Sequence, residues 1–127
     1  MAAPVQPLAT RDVAGTRMLG ETTVVVSAGP WFSAVTSAKF ADLAAEAHDH
    51  GAEEMVLDLT GVRALDTAGS ATLGALAEQL DHAGCELAIA ATHPGLVEWL
   101  TTVGLEIDLP VYETVEDALA DLLRRPI

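Results

Sequence analysis

Glu54-Met55-Val56-Leu57-Asp58-Leu59, then Asp66-Thr67-Ala68-Gly69-Ser70, then Leu73-Gly74-Ala75-Leu76-Ala77-Glu78-Gln79-Leu80 is the stretch whose reading decides the fold. The first segment is a short, mostly apolar run of strand length. The last puts Leu73, Leu76, Ala77 and Leu80 on one face at helical spacing. The turn between them carries an acid, two hydroxyls and a glycine where a buried strand hands over to a helix. Main-chain N–H groups at a helix start are unpaired and carry partial positive charge, so they favour anions and oxygen caps. A hydroxyl placed there serves as a phosphorylation site, a cap or a docking contact, and the residues alone leave these three readings open.

Outward from this corner the same alternation repeats. Upstream, Thr22-Thr23-Val24-Val25-Val26-Ser27 is β-branched and continuous, which predicts a buried strand, and Gly29-Pro30 stops it. Thr16 to Gly20 is expected to form a short edge strand. Trp31 to Thr36 reads as a connecting loop. A helix is expected from about Ser37 to His50, with Phe40, Leu43, Ala44 and Ala47 on its inner face and Gly51 as C-cap. Val62 to Leu65 is expected to continue the Met55–Leu59 strand past a bend at Thr60-Gly61.

Downstream, Gly84 ends the second helix and Glu86 to Ala91 is a third core strand. Pro94 opens a short helix with Leu96, Trp99, Leu100 and Val103 facing inward, ended by Gly104. Leu109 to Tyr112 forms a last short strand. Thr114-Val115-Glu116-Asp117 has the form of a capping box with Asp in the third helical position, and it starts a helix through Ala118, Leu119, Leu122 and Leu123. Arg124 and Arg125 complement the dipole at its end. Strands alternating with helices imply an α/β fold with a mostly parallel central sheet and about four helices. Residues 1–15 read as a flexible tail and 16–127 as one domain.

Half of the 127 residues are hydrophobic and the mean hydropathy is +0.34, which argues for a packed core over disorder. Only 4% are aromatic, so that core rests on Ala, Val and Leu. The formal net charge is -13, from 19 acidic and 6 basic residues. Such a surface repels phosphate backbones and anionic lipid, which argues against nucleic acid or direct membrane insertion and leaves room for a protein partner. The single cysteine, Cys85, excludes an internal disulfide and a multi-cysteine metal site, and reads as a small buried apolar residue. No secretory leader or membrane-length apolar run is visible, so a cytoplasmic location is expected.

Val56-Leu57-Asp58-Leu59-Thr60-Gly61-Val62 followed by Leu65-Asp66-Thr67-Ala68-Gly69 resembles the signature of STAS domains, the sulfate-transporter and anti-sigma-factor-antagonist domains. The resemblance extends through His82-Ala83-Gly84-Cys85-Glu86-Leu87, Val103-Gly104-Leu105 and Val111-Tyr112-Glu113-Thr114-Val115-Glu116-Asp117-Ala118-Leu119, covering about Thr16 to Leu123. It implies a single STAS-like domain of the antagonist type. Such a domain binds a kinase-type anti-sigma factor through the Asp66–Ser70 turn and the helix after it, and is switched by phosphorylation in that turn. The usual phosphoacceptor is the second residue after the Asp; here it is Ala68, which has no hydroxyl. The Asp-Thr-Ala-Gly form also resembles STAS proteins of lipid-transport ABC systems, where the threonine contacts a permease. Gly29-Pro30-Trp31-Phe32 followed by Phe40 is similar to the STAS region of sulfate-type anion transporters. The resemblance therefore implies either an anti-sigma factor kinase or a transporter permease as partner.

The candidate partner-binding residues are Asp66, Thr67, Ala68, Gly69 and Ser70, with Thr67 and Ser70 the hydroxyls open to phosphorylation. Asp66 is also a strong N-cap, and both roles can hold together. Phosphate on Thr67 would add about -1.5 to -2 charge beside Asp66, so a contact role is favoured over modification. Ser70 suits a helix start as a small residue, and Gly69 admits close approach of another element or a partner. Asp58, in a buried strand, is expected to bond the turn that follows. His48 and His50 lie two apart on a helix and face different ways, making poor co-ligands. Trp31 reads either as an interface anchor or as a plug for one end of the core. No Gly-x-Gly-x-x-Gly, Walker-type or Gly-x-Ser-x-Gly element is present. The sequence thus points to a non-enzymatic regulator with no metal or cofactor.

Overall fold

The computed structural model describes residues 15–19, 21–100 and 110–124. The expectations for the tail before Gly15, for Val103-Gly104-Leu105 and for Arg125 lie outside these residues. The elements run β1 (Gly15–Met18), β2 (Thr23–Ser27), β3 (Trp31–Phe32), α1 (Ala34–Asp49), β4 (Glu54–Leu59), β5 (Ala64–Leu65), α2 (Thr67–His82), β6 (Glu86–Ala91), α3 (Pro94–Trp99), β7 (Val111–Tyr112) and α4 (Val115–Arg124). The main sheet has the order β1-β2-β4-β6-β7. β1 is antiparallel to β2; β2, β4, β6 and β7 pair in parallel. This is the α/β architecture expected from the alternation of strands and helices.

Strand side chains alternate between faces, and the two faces carry separate cores. On one, Val24, Val26, Met55, Leu57, Leu59, Leu87 and Ile89 pack with Phe40 and Ala44 of α1, Leu73, Leu76, Ala77 and Leu80 of α2, and Leu96 of α3. On the other, Val25, Val56, Ala88 and Ala90 pack with Ala118 and Leu122 of α4. A strand buried on both faces reads as a continuous apolar run, which is why β2, β4 and β6 were legible. Gly51 and Gly84 adopt φ +109° and +88° just past α1 and α2, left-handed geometry that glycine takes without a Cβ penalty.

Three local expectations are corrected. Trp31–Phe32 is a strand, not part of a loop, and α1 begins at Ala34 rather than Ser37. The earlier start comes from Ser33, whose hydroxyl accepts the Thr36 N–H while the Thr36 hydroxyl accepts the Ser33 N–H at 2.9 Å. Val62–Leu65 does not extend β4: Ala64–Leu65 turns away and pairs in parallel with Trp31–Phe32 as a separate two-stranded sheet. Trp99 faces inward as expected, half-buried against the core.

Candidate functional site

Each of β2, β4 and β6 runs parallel to its neighbour, so their carboxyl ends lie on one edge of the sheet, where ligands and partners of open α/β folds gather. At that edge β2 leads to β3, β4 leads to β5, and β5 leads into α2. Asp58 ties the two exits together. Its Oδ2 accepts from the Ser27 hydroxyl at 3.0 Å, and its Oδ1 accepts from the Thr60 hydroxyl at 2.7 Å and the Thr60 N–H at 3.0 Å. The carboxylate thus bonds the turn that follows, as expected, and also the end of the neighbouring strand β2. The Pro30 carbonyl adds a second tie, accepting the N–H groups of Arg63 and Ala64 at 2.8 and 3.1 Å.

The β3–β5 pair delivers the chain to Asp66, the N-cap of α2. Its backbone is extended, at φ -119° and ψ 178°, and its Oδ1 accepts the Gly69 N–H at 2.8 Å. The Asp66 N–H donates to the Phe32 carbonyl at 3.2 Å. Gly69 lies directly over that carbonyl: a Cβ at this position would overlap the Phe32 oxygen and stand 2.9 Å from its carbon. The close approach expected of Gly69 is therefore to β3. Phe32 itself is buried and meets Phe40 edge-on, with ring centroids 5.4 Å apart. The corner is locked from below by an aromatic contact, from within by a cap and from the side by a strand.

What the corner presents is graded along the chain. Asp66, Thr67 and Ala68 are exposed, while Gly69 is buried and Ser70 is 8% exposed. An open groove of about 490 Å³ runs past Leu65, Asp66, Thr67, Ser70, Ala71, Gly95 and Trp99. On the other side of Leu65–Asp66 lies a second depression of about 230 Å³, bounded by Trp31, Phe32, Ser33 and Ala64. Sequence reading found Asp66, Thr67 and the cap. It missed Phe32, whose carbonyl organises the corner, and the partial signals were an aromatic pair after Gly-Pro and the Ser33–Thr36 cap spacing.

The histidines do not gather. His48 Nδ1 lies 3.1 Å from the Ala52 carbonyl and His50 Nδ1 2.8 Å from the Glu46 carbonyl; His93 caps α3 by accepting the Gly95 and Leu96 N–H groups. Among the described residues, no three of His, Cys, Asp and Glu are grouped to hold a metal ion. No helix among them is long and apolar enough to cross a membrane.

A family model described as the STAS domain matches residues 15–118. Among solved structures, the chain is similar to an anti-sigma factor antagonist from Mycobacterium paratuberculosis, with a TM-score of 0.71 and 24% identity over 91% of this chain and 99% of that one. It is also similar to the anti-sigma factor antagonist SpoIIAA in its unphosphorylated form (TM-score 0.69, 10% identity, 90% and 100% covered). A third likeness is to the murine Solute Carrier 26 family member A9 anion transporter in its inward-facing state (TM-score 0.68, 17% identity). That likeness takes in 85% of this chain but 19% of the transporter. At these identities the likeness is one of fold. No curated protein sequence matches the chain.

Proposed function

The chain belongs to the STAS domain family, and from that membership we propose that it is a non-catalytic regulatory domain that binds a kinase-type anti-sigma factor. The contact is made by the Asp66–Ser70 turn and the outer face of α2. The observation that carries this reading is the exposure of Asp66, Thr67 and Ala68 on a backbone already fixed by Asp58, Phe32 and the Asp66 cap. A surface ordered before binding loses little conformational entropy on association.

Ala68 occupies the position where the antagonist pattern carries its acceptor hydroxyl, and it presents a methyl group to the partner. Thr67, one residue earlier and exposed, is the hydroxyl a kinase reaches first; Ser70 is buried. The domain therefore acts as a binder whose phosphate switch is weakened or lost. Charge introduced at Thr67 opposes docking, because it adds to Asp66 on a chain that already carries a formal charge of -13.

Incubation with purified kinase-type anti-sigma factors of the source organism and ATP, followed by intact mass measurement and binding assays, tests this reading. Tight binding with no mass gain, and loss of at least roughly tenfold in affinity in Thr67→Glu, is expected. Stoichiometric phosphorylation of Thr67 would restore the switch; absence of binding to any such kinase would overturn the reading. The Asp66-Thr67-Ala68-Gly69 form favours one alternative, docking on a transporter permease, for which Thr67→Glu would instead abolish co-purification with a permease.

A further inference from the structure

We propose that Trp31 is the aromatic anchor of the docking face and sets which partner it accepts. The occupant is the same protein partner that grips the Asp66 corner, and it presents a cationic side chain flanked by apolar groups. This inference rests on the proposed function and names the chemistry of that partner's surface.

Trp31 is 66% exposed, and Val35, four residues on in the first turn of α1, is 75% exposed. Covering this apolar surface with a partner releases water and favours binding. The backbone beneath it is not loose. Trp31 pairs with Ala64, and its carbonyl accepts the Thr36 hydroxyl at 2.6 Å. The indole thus projects from a fixed base and has only two side-chain torsions to freeze on contact. Rigid, exposed aromatics of this kind dominate binding energy at protein interfaces.

Continuity with the corner follows from the geometry of Phe32, the residue after Trp31. Its carbonyl accepts the Asp66 N–H and lies under Gly69, so β3 is bonded to and packed against the start of α2. The depression beside Trp31 and the groove beside Thr67 share Leu65 and Asp66 as their common border. Asp66 therefore stands exposed between two apolar hollows, with Trp31 bounding one and Trp99 the other. A partner that fits both must place a positive group over Asp66 and apolar groups on either side. The acidic excess of the whole chain steers the same kind of partner and repels anionic lipid and nucleic acid.

The test is the affinity of the purified kinase-type anti-sigma factors for the wild-type chain, Trp31→Ala, Trp31→Phe and Thr67→Glu, each also followed by thermal unfolding. Trp31→Ala is expected to lose at least roughly tenfold in affinity at an unchanged Tm, with Trp31→Phe recovering most of it. Trp31→Ala binding as wild type while Thr67→Glu abolishes binding would overturn this inference and leave the proposed function standing. If no kinase binds the wild-type chain, both fall together.

Discussion

A methyl group added at Gly69 has nowhere to go, because the Phe32 carbonyl fills the space. Backbone cannot swing aside as a side chain can, so Gly69→Ala either shifts β3 or opens the first turn of α2. We expect a loss of about 1–3 kcal/mol in urea unfolding, the range of overpacked sites, with Gly61→Ala, which meets only ordinary contact distance at 3.4 Å, as a mild control. Cys85 gives a second residue-scale expectation. Burial, with smaller contributions from Glu54 and Glu86, pushes its thiol up to about 11 from an ordinary value of 9.0. Above pH 9 the unfolded chain releases this proton and the native chain keeps it. Stability therefore falls between pH 9 and 11, by up to about 1.4 kcal/mol per unit, and is insensitive to this group below. Unfolding midpoints measured at pH 8 and 10 in wild type and Cys85→Ala check this; only the wild type carries the extra loss.

Among the elements, the long ones announced themselves, as did the short β1, α3 and β7; β3 and β5 did not. β2, β4 and β6 are apolar runs buried on both faces, and α2 has its leucines at helical spacing, so local pattern suffices. β3 and β5 are two residues each and exist through pairing with one another across about thirty positions of chain. Nothing in Trp31-Phe32 or Ala64-Leu65 alone encodes that pairing. The start of α1 was legible in principle, since Ser33 and Thr36 have the spacing of a reciprocal cap, but Thr in place of Glu or Gln hides it. Ser33→Ala removes one half of the cap, the acceptor of the Thr36 N–H, and leaves the Thr36 hydroxyl's bond to the Trp31 carbonyl in place. A cost of about 1 kcal/mol is expected, seen as a lowered urea midpoint with α2 amide exchange unchanged. Equal loss of protection in α2 would mean that the two helices open as one unit.

For the molecule as a whole, the candidate site was half legible. Asp66 and Thr67 stood out as candidates because a strand-to-helix turn with an acid and a hydroxyl has a direct physical meaning at a helix N-terminus. The grading of exposure within the turn was not legible, because burial of Gly69 depends on β3, which the local pattern does not reveal. The resulting picture is of a sheet whose carboxyl edge holds one rigid corner outward, backed by the core that contains Phe32 and is flanked by Leu65 and Trp99. Function on this account is recognition by shape and charge. The most direct measurement is the backbone amide NMR spectrum of the labelled chain titrated with a purified kinase-type anti-sigma factor. Shifts centred on Asp66 to Ala71, with the Trp31 indole N–H among them, are predicted; shifts confined to β1 and α4, with the corner silent, would contradict the account.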